Sequence, residues 1–255
     1  MIRVGVGGWT YEPWRGVFYP KGLRQADELK HAATQLTAIE INGTFYGSQK
    51  PESFQKWHDE TPDGFKFSLK GPRFAVNRRV LGEAGESIER FLGTGIDRLG
   101  DKLGPLLWQF AGTKQFDRED MAAFIKLLPP KLGDRPLQHA LEVRHESFRD
   151  PAFLALARDH NCAAVFAHAA KYPTPLDGGD PPTADFAYAR LQQCVEQETT
   201  GYDAGTLDVW TVFAKDWQAQ VADVYVFFIS GAKVRAPAAA MAMIERLGHQ
   251  VAPGD

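Results

Sequence analysis

Short apolar segments and helical patterns alternate about eight times along the 255 residues of this chain. Strands that are covered on both faces have such compositions, and they are typical of parallel sheets flanked by helices. A strand–helix unit repeated in this way predicts a parallel (β/α)8 barrel of TIM type, regular or irregular, with a doubly wound open sheet as the alternative. The apolar segments are RVGVGGW (3–9), AIEIN (38–42), FKFSLKGP (65–72), GPLLWQF (104–110), HALEVRH (139–145), CAAVFAH (162–168), FAYARLQ (186–192) and DVYVFFIS (223–230).

The helical segments fill the intervals between these strands and carry recognisable end signals. Asp150 precedes Pro151 in the order expected for a helix N-cap and first turn, and Pro129-Pro130 ends the preceding helix. We expect a single barrel domain over residues 1–247 and a frayed tail over residues 248–255. The helical segments are 26–36, 51–60, 85–104, 118–128, 150–160, 205–221 and 236–248.

Composition narrows the class of partner and the compartment. The net charge of -3 and the pI near 6.2 argue against a basic nucleic-acid footprint over the whole surface, although a local basic cleft is compatible with them. Cys162 and Cys194 have no metal-ligand spacing, which indicates two reduced thiols. The opening MIRVGVGGW has neither a signal-peptide pattern nor a membrane span, so we expect a cytoplasmic protein without membrane contact.

Charged residues interrupt several of the predicted strands near their carboxyl ends. Glu40 lies in AIEIN, Lys70 ends FSLK, Glu142 and Arg144 lie in ALEVRH, and Arg190 lies in AYARLQ. Because side chains two positions apart share a face of a strand, these groups form polar stripes that a barrel directs to its C-terminal mouth, where barrel enzymes place their chemistry. The alternative is a closed ion-pair network that fills the barrel and has no further role, although buried ion pairs stabilise poorly compared with apolar packing.

The loops that follow the strands add aromatic and cationic side chains. Trp9 and Tyr46 are our candidates for exposed rings that cover a ligand, with Tyr11 beside them, and Arg73 adds a cation after the third strand. The predicted mouth then has a positive balance within an acidic chain. This balance favours a small anionic ligand that carries a carboxylate or a phosphate.

Six motifs in order along the chain carry a resemblance to a known family. They are GVGGWTYEPWRGVFYP, AIEINGTFY, TPDGFKFSLKGPR, DKLGPLLWQF, LEVRHESF and DFAYARLQ…DVYVFF, and together they closely resemble the YecE-like family, the domain of unknown function seventy-two, over roughly residues 3–245. The resemblance implies a TIM-barrel-like fold and no particular reaction. Its strongest motif positions correspond to Gly8, Trp9, Tyr11, Trp14, Glu40, Asn42, Thr44, Phe45, Tyr46, Lys70, Glu142, Arg144, His145, Tyr188 and Arg190.

This chain departs from the family pattern at several positions of the mouth. Asn77 lies near the place of a Thr-His pair, Gln192 replaces a histidine, and Ser230 falls where the last strand usually ends in Asn-Asn. An altered substrate or weakened activity is compatible with these departures.

Three hypotheses follow for function. The first is an enzyme without an obligatory metal, in which Glu40, Glu142 and Lys70 are the catalytic groups and Glu40 and Glu142 divide the acid and base roles. Its substrate-binding residues are Trp9, Tyr11, Asn42, Tyr46, Arg73, Arg144, His145, Tyr188 and Arg190.

The second hypothesis is a metal-dependent barrel, resembling sugar isomerases or abasic-site endonucleases. Glu40, Glu142, His145 and His168 would then hold a divalent metal, but we rank this reading lower because cations dominate the predicted mouth. The third hypothesis is a ligand-binding protein without catalysis. Nucleic-acid binding through Arg73, Arg78 and Arg79 is compatible with the loops but is disfavoured by the acidic pI.

Overall fold

The computed structural model describes residues 1–248, and in this part of the chain a nine-stranded parallel sheet forms the centre of the molecule. The strand order is β8-β7-β4-β3-β2-β1-β11-β10-β9, and a separate antiparallel hairpin joins β5 to β6. The strands are β1 (Ile2–Gly7), β2 (Ala38–Ile41), β3 (Lys66–Lys70), β4 (Leu103–Gln109), β5 (Lys131–Leu132), β6 (Arg135–Pro136), β7 (His139–Glu142), β8 (Cys162–Ala164), β9 (Phe166–His168), β10 (Phe186–Leu191) and β11 (Asp223–Phe228).

Two consecutive strands, β8 and β9, lie at the two ends of this sheet order. Only Val165 separates them in the chain, while β8 pairs with β7 and β9 pairs with β10. One segment thus bonds to a different neighbour along each half of its length. The sheet returns to its own beginning and is nearly closed into a barrel.

Helices connect the strands and cover the outside of this barrel. Asp150 accepts a hydrogen bond from the backbone N–H of Ala152 (2.9 Å), as expected for the N-cap before Pro151. The α-helices are α1 (Glu28–Ala33), α2 (Gly43–Tyr46), α3 (Pro51–Asp59), α4 (Arg73–Val76), α5 (Gly85–Leu92), α6 (Arg118–Lys126), α7 (Pro151–Asp159), α8 (Ala204–Gln218) and α9 (Ala236–Leu247). Short 3-10 helices lie at Glu12–Trp14, Gln25–Asp27, Leu81–Glu83, Ile96–Lys102, Glu146–Arg149 and Lys233–Arg235.

The predicted barrel class is confirmed, and the differences are local. The sixth predicted strand divides into β8 and β9, which is how the barrel closes, and the glycine-rich helical segment 85–104 ends as an α-helix at Leu92. The short helices α2 and α4 and the small hairpin were not predicted from the sequence. Each of these helices has four residues and each strand of the hairpin has two, too few for a hydrophobic period to be visible. Of the predicted tail, residues 249–255 lie outside the described residues.

The apolar core has an inner and an outer part because strand residues alternate between the two sides of the barrel wall. The outer part lies between the sheet and the helices, and the smaller inner part fills the barrel below the charged residues. Gly5 permits the close approach of β1 to β2, since a Cβ there would lie 1.8 Å from the carbonyl oxygen of Ala38. The inner part consists of Ala38, Leu107, Ala140, Ala163, Val165, Ala167, Phe186, Tyr188, Tyr225 and Phe227.

Within residues 1–248, none of the helices has the length and apolar content needed to cross a membrane.

Candidate functional site at the C-terminal mouth of the barrel

Arg190 lies at the centre of the charged cluster and bridges two carboxylates from opposite parts of the sheet. Its Nε and Nη2 donate to the two carboxylate oxygens of Glu40 at 3.0 and 2.9 Å, and its Nη1 donates to Glu142 at 2.5 Å. All three side chains are buried. Burial alone would lower the pKa of Arg190, but Glu142 and Glu40 raise it above its usual range, so this guanidinium is a permanent cation.

Glu40 also accepts a hydrogen bond from Tyr188, a residue of the inner core. The phenol of Tyr188 donates to Glu40 Oε2 at 2.8 Å and lies 2.7 Å from the hydroxyl of Ser68. Ser68 in turn reaches the carbonyl oxygen of Pro105 at 2.9 Å. Burial and the nearby carboxylate of Glu40 raise the pKa of Tyr188 well above 10, so the phenol remains a hydrogen-bond donor.

Glu142 is surrounded by donors in the same way. Gln109 donates to its Oε2 at 2.6 Å, while Nε and Nη2 of Arg144 donate to its Oε1 at 3.0 and 2.9 Å. Burial by itself would raise the pKa of this carboxyl, but Arg190 and Arg144 lower it to about 2. Glu142 is therefore ionised near neutral pH and has no proton to donate, which argues against the general-acid role in the sequence-based hypothesis.

Lys70 differs from the two arginines because, in the described chain, its ammonium makes no ion pair with a carboxylate. The residue is 6% exposed, and its Nζ lies 4.2 Å from the centre of the Phe45 ring. Thr44 fixes the backbone of this strand end by donating its hydroxyl to the carbonyl oxygen of Lys70 at 2.7 Å. Burial, with a further contribution from Arg190, lowers the pKa of Lys70 to about 8.

The cluster therefore contains three cations and two carboxylates. The two arginines of the predicted polar stripes have different partners. Arg190 binds both Glu40 and Glu142, whereas Arg144 binds Glu142, which lies two positions before it at the same strand end. Lys70 is the cation in excess.

Arg144 forms the outer edge of the cluster. Its side chain is 18% exposed, and its guanidinium lies 4.5 Å from the centre of the Tyr172 ring. Tyr172 belongs to the long loop rich in Pro, Gly and Asp between β9 and β10, so this loop contributes an aromatic surface to the mouth. Gln192 lies on the same side, with its amide nitrogen 3.5 Å from Glu142 Oε1.

Two of the predicted aromatic residues are half-buried. Trp9 was expected to be exposed but is half-buried: its ring packs edge-on against Trp57, with 5.1 Å between the ring centres, and lies against the outer core. The ammonium of Lys233 lies 4.4 Å from the centre of the Tyr11 ring. Tyr46 is 68% exposed, as expected.

The remaining predicted residues occupy the rim. Arg73 is exposed and lies over the ring of Phe74, and His145 accepts a hydrogen bond from the backbone N–H of Ser147 (3.2 Å) as an N-cap. Neither forms a hydrogen bond or ion pair with the charged cluster in the described part of the chain. Asn42 follows β2 directly, is half-buried and is the N-cap residue of α2.

The side chains proposed for a metal do not converge. Among residues 1–248, no group of three or more His, Cys, Asp or Glu side chains lies close enough together to hold a metal ion. His168 instead lies 3.4 Å from the hydroxyl of Tyr202 and packs against Trp210. Burial lowers its pKa.

Sequence reasoning missed three residues that shape the cluster, which are Ser68, Gln109 and Tyr172. Ser68 shares a strand face with Lys70 and would have been found by the same alternation argument. Gln109 is the last residue of β4, and this strand-end position is the signal that could have identified it. The contacts of Phe45 with Lys70 and of Tyr172 with Arg144 carry no sequence signal, since they depend on loop conformations.

The nearly closed parallel sheet with charged groups at its carboxyl end defines the molecule as a TIM-barrel-type protein with a candidate site at the mouth. The chain belongs to the family described as "Protein of unknown function DUF72", which matches residues 3–254.

Two curated relatives are both named as UPF0759 proteins. UPF0759 protein YunF of Bacillus subtilis (strain 168) is 23% identical over 254 residues, covering 89% of this chain and 88% of YunF. UPF0759 protein YecE of Escherichia coli (strain K12) is 26% identical over 148 residues, which are 58% of this chain and 50% of YecE. The match thus spans about half of the length of YecE.

Solved structures agree on the fold. A DUF72 family protein (TM1631) from Thermotoga maritima MSB8 has a TM-score of 0.78 at 23% identity and covers 98% of this chain and 100% of its own. A xylose isomerase-like TIM barrel/4-hydroxyphenylpyruvate dioxygenase fusion protein has a TM-score of 0.57 at 11% identity, over 98% of this chain and 43% of its own. These similarities concern the fold alone.

Proposed function

We propose that this protein is an enzyme that binds a small substrate bearing a carboxylate or a phosphate at the C-terminal mouth of the barrel. The observation that carries the proposal is the excess of one buried cation, Lys70, over the two carboxylates of the cluster. A buried charge without a partner costs several kcal/mol, so chains keep such a group where a ligand supplies the missing charge. An anion at the mouth supplies it here.

Arg144 is the cation that first meets this anion. Its Nε and Nη2 are bonded to Glu142, whereas its Nη1 makes no hydrogen bond within residues 1–248. A guanidinium offers five N–H donors in a rigid fork, so the unused edge is available to a carboxylate or phosphate oxygen. Glu142 and Tyr172 hold the plane of this guanidinium in place before the ligand arrives.

The two carboxylates act mainly on the cations around them. Glu40 and Glu142 keep Arg190 and Arg144 oriented, and both are ringed by donors that leave little capacity for a proton-transfer role. Lys70 has the pKa closest to neutral in the cluster, about 8, and is the group best suited to exchange a proton with a substrate. Asn42 and Gln192 add half-buried amides at the same level.

Titration calorimetry with inorganic phosphate, lactate and pyruvate tests the anion site. A hydrogen bond to a charged group contributes about 1.5–3 kcal/mol, so we expect Arg144→Gln to weaken the tightest of these anions by about ten-fold or more. Arg73→Gln is the matched control, because Arg73 is an exposed arginine on an aromatic ring outside the cluster. Equal affinities for the wild type and Arg144→Gln, or no binding of any of the three, would contradict the proposal.

The fate of a bound compound separates catalysis from plain binding. Denaturation of freshly purified protein releases any compound that copurifies with it, and mass spectrometry identifies that compound. An enzyme converts this compound, or a close analogue, on incubation, and the Lys70→Met variant does not. Recovery of the compound unchanged after prolonged incubation with the wild type would favour the ligand-binding alternative.

A further inference from the structure

Lys70 has surroundings that differ from those of Lys66, Lys102 and Lys114. Lys102 donates to two backbone carbonyls, Lys66 donates to one, and Lys114 forms an ion pair with Asp120. In the described residues, the Lys70 ammonium has none of these partners and contacts an aromatic face instead. An amine with no hydrogen-bond acceptor keeps its lone pair or its N–H groups available for a ligand.

Burial is the largest cause of the lowered pKa of Lys70, and the surrounding charges act on this pKa in both directions. Arg190 and Arg144 disfavour the ammonium, while Glu40 and Glu142 favour it. Each carboxylate is already bound to an arginine, which reduces its ability to stabilise a further cation. With burial added, the pKa of Lys70 is about 8, so on the order of a tenth of the molecules carry a neutral amine at pH 7.

The position of this amine in the barrel is that of a reacting group in TIM-type enzymes. Lys70 is the last residue of β3, at the end of the barrel where TIM-type enzymes place reacting groups. It faces the same mouth as Arg144, which has an unused donor edge. Desolvated lysines beside other cations are the usual amine nucleophiles of proteins.

We propose that Nζ of Lys70 is a nucleophile that forms an imine with a small carbonyl compound bearing a carboxylate or phosphate. This proposal rests on the proposed anion-binding function, and it names the reaction class of the same site. Arg144 holds the anionic group, and Lys70 meets the carbonyl carbon.

The step is balanced without an oxidant or reductant. The lone pair of the neutral amine forms a bond to the carbonyl carbon, and the carbonyl oxygen takes a proton to give a carbinolamine. The C–O bond then breaks, a C=N bond forms, and the oxygen leaves as water. Both protons of the amine leave with that water. The product is a neutral imine, and the iminium formed when a proton adds to its nitrogen withdraws electrons from the neighbouring carbon of the substrate.

Reductive trapping tests this chemistry. The whole protein is incubated separately with pyruvate, glyoxylate and dihydroxyacetone phosphate in the presence of sodium cyanoborohydride, and peptides are mapped by mass spectrometry. Two pKa units correspond to about a hundred-fold difference in neutral amine, so we expect the Lys70 peptide to be labelled ten-fold or more above any other lysine. Lactate, an anion without a carbonyl group, should compete with pyruvate and give no adduct.

Two variants serve as controls. Lys70→Arg keeps the positive charge and should lose the adduct while retaining the wild-type midpoint of urea unfolding. Lys233→Arg changes another half-buried lysine on an aromatic ring, whose pKa burial also lowers, and should leave labelling of Lys70 unchanged.

Absence of an adduct on Lys70 with all three carbonyl probes, or labelling spread evenly over exposed lysines, would overturn the imine proposal. If lactate and phosphate bind in that case, the anion-binding function stands without the imine. If no anion binds either, both proposals fail.

Discussion

The two ends of the barrel interior treat buried cations in different ways. At the C-terminal mouth, Arg190 is enclosed by the carboxylates of Glu40 and Glu142, and Lys70 remains unpaired within the described residues. At the opposite end, Arg3 donates to the carbonyl oxygen of Gly64 at 2.6 Å. This second end relies on backbone carbonyls more than on carboxylates.

The N-terminal end shows the same preference at its other cation. Lys66 donates to the backbone carbonyl of Asp101, and the distance from Arg3 Nε to the half-buried carboxylate of Asp223 is 3.9 Å. Backbone partners are present in every folded molecule, so such cations need no ligand. At the mouth, in contrast, the arginines are bound by buried carboxylates, and Lys70 has neither a carboxylate nor a carbonyl partner within the described residues. This difference supports the proposed anion site at the mouth, the end where TIM-type barrels place their reacting groups.

The largest expected effect is on stability at the mouth. Arg190→Met leaves two buried carboxylates without their shared partner, and breaking a buried ion pair costs about 3–5 kcal/mol. Urea unfolding measures the loss. Arg3→Met, at the other end, should cost about 1 kcal/mol, as for an ordinary hydrogen bond. Similar losses for the two variants would remove the distinction between the ends.

The ionisation of Glu142 should make the free energy of unfolding depend on pH in the acid range. Its pKa in the folded protein, about 2, is below its ordinary value of 4.5, so it contributes stability that is present above pH 4.5 and is lost as the pH falls towards 2. Glu142→Gln should be less stable than the wild type by about 3 kcal/mol at pH 7. The gap should narrow across this acid window in unfolding measurements, and a constant gap would contradict the assignment.

Lys70 should have the opposite effect on stability at pH 7. Its pKa in the folded protein, about 8, is below its ordinary value of 10.5, so the unfolded chain binds more protons between these values and stability rises with pH there. Lys70→Met should therefore match or exceed the wild type by about 1 kcal/mol at pH 7. This advantage should shrink between pH 8 and 10.5. A variant markedly less stable than the wild type at pH 7 would indicate that Lys70 is a structural cation.

The smallest effect is expected at the opposite end of the barrel. Lys66→Met removes a half-buried lysine bound to one carbonyl, and we expect a change of less than about 1 kcal/mol. Its affinity for phosphate, lactate and pyruvate should equal that of the wild type, whereas Lys70→Met should lose at least one of them. Weakened anion binding by Lys66→Met would place the anion site at the wrong end.

Much of the fold could be predicted because strand and helix periods are local properties of the chain. The eight apolar segments correspond to nine strands, and the charged positions share faces as alternation requires. The break at Val165 could not be predicted, since it depends on which two strands meet when the barrel closes. Trp9 likewise gave no sign of its contact with Trp57, a residue of α3 brought there by folding.

The order of residues along the chain is sufficient for the barrel class, the family and the location of Glu40, Lys70, Glu142 and Arg190 near strand ends. Which carboxylate each cation binds is determined only in the folded molecule. Distances across a barrel depend on the strand register and on side-chain packing, which no local pattern encodes. Only in the folded protein does Arg190 bind both carboxylates and Arg144 bind Glu142. Lys70 is then the cation of the cluster that has no carboxylate partner within residues 1–248.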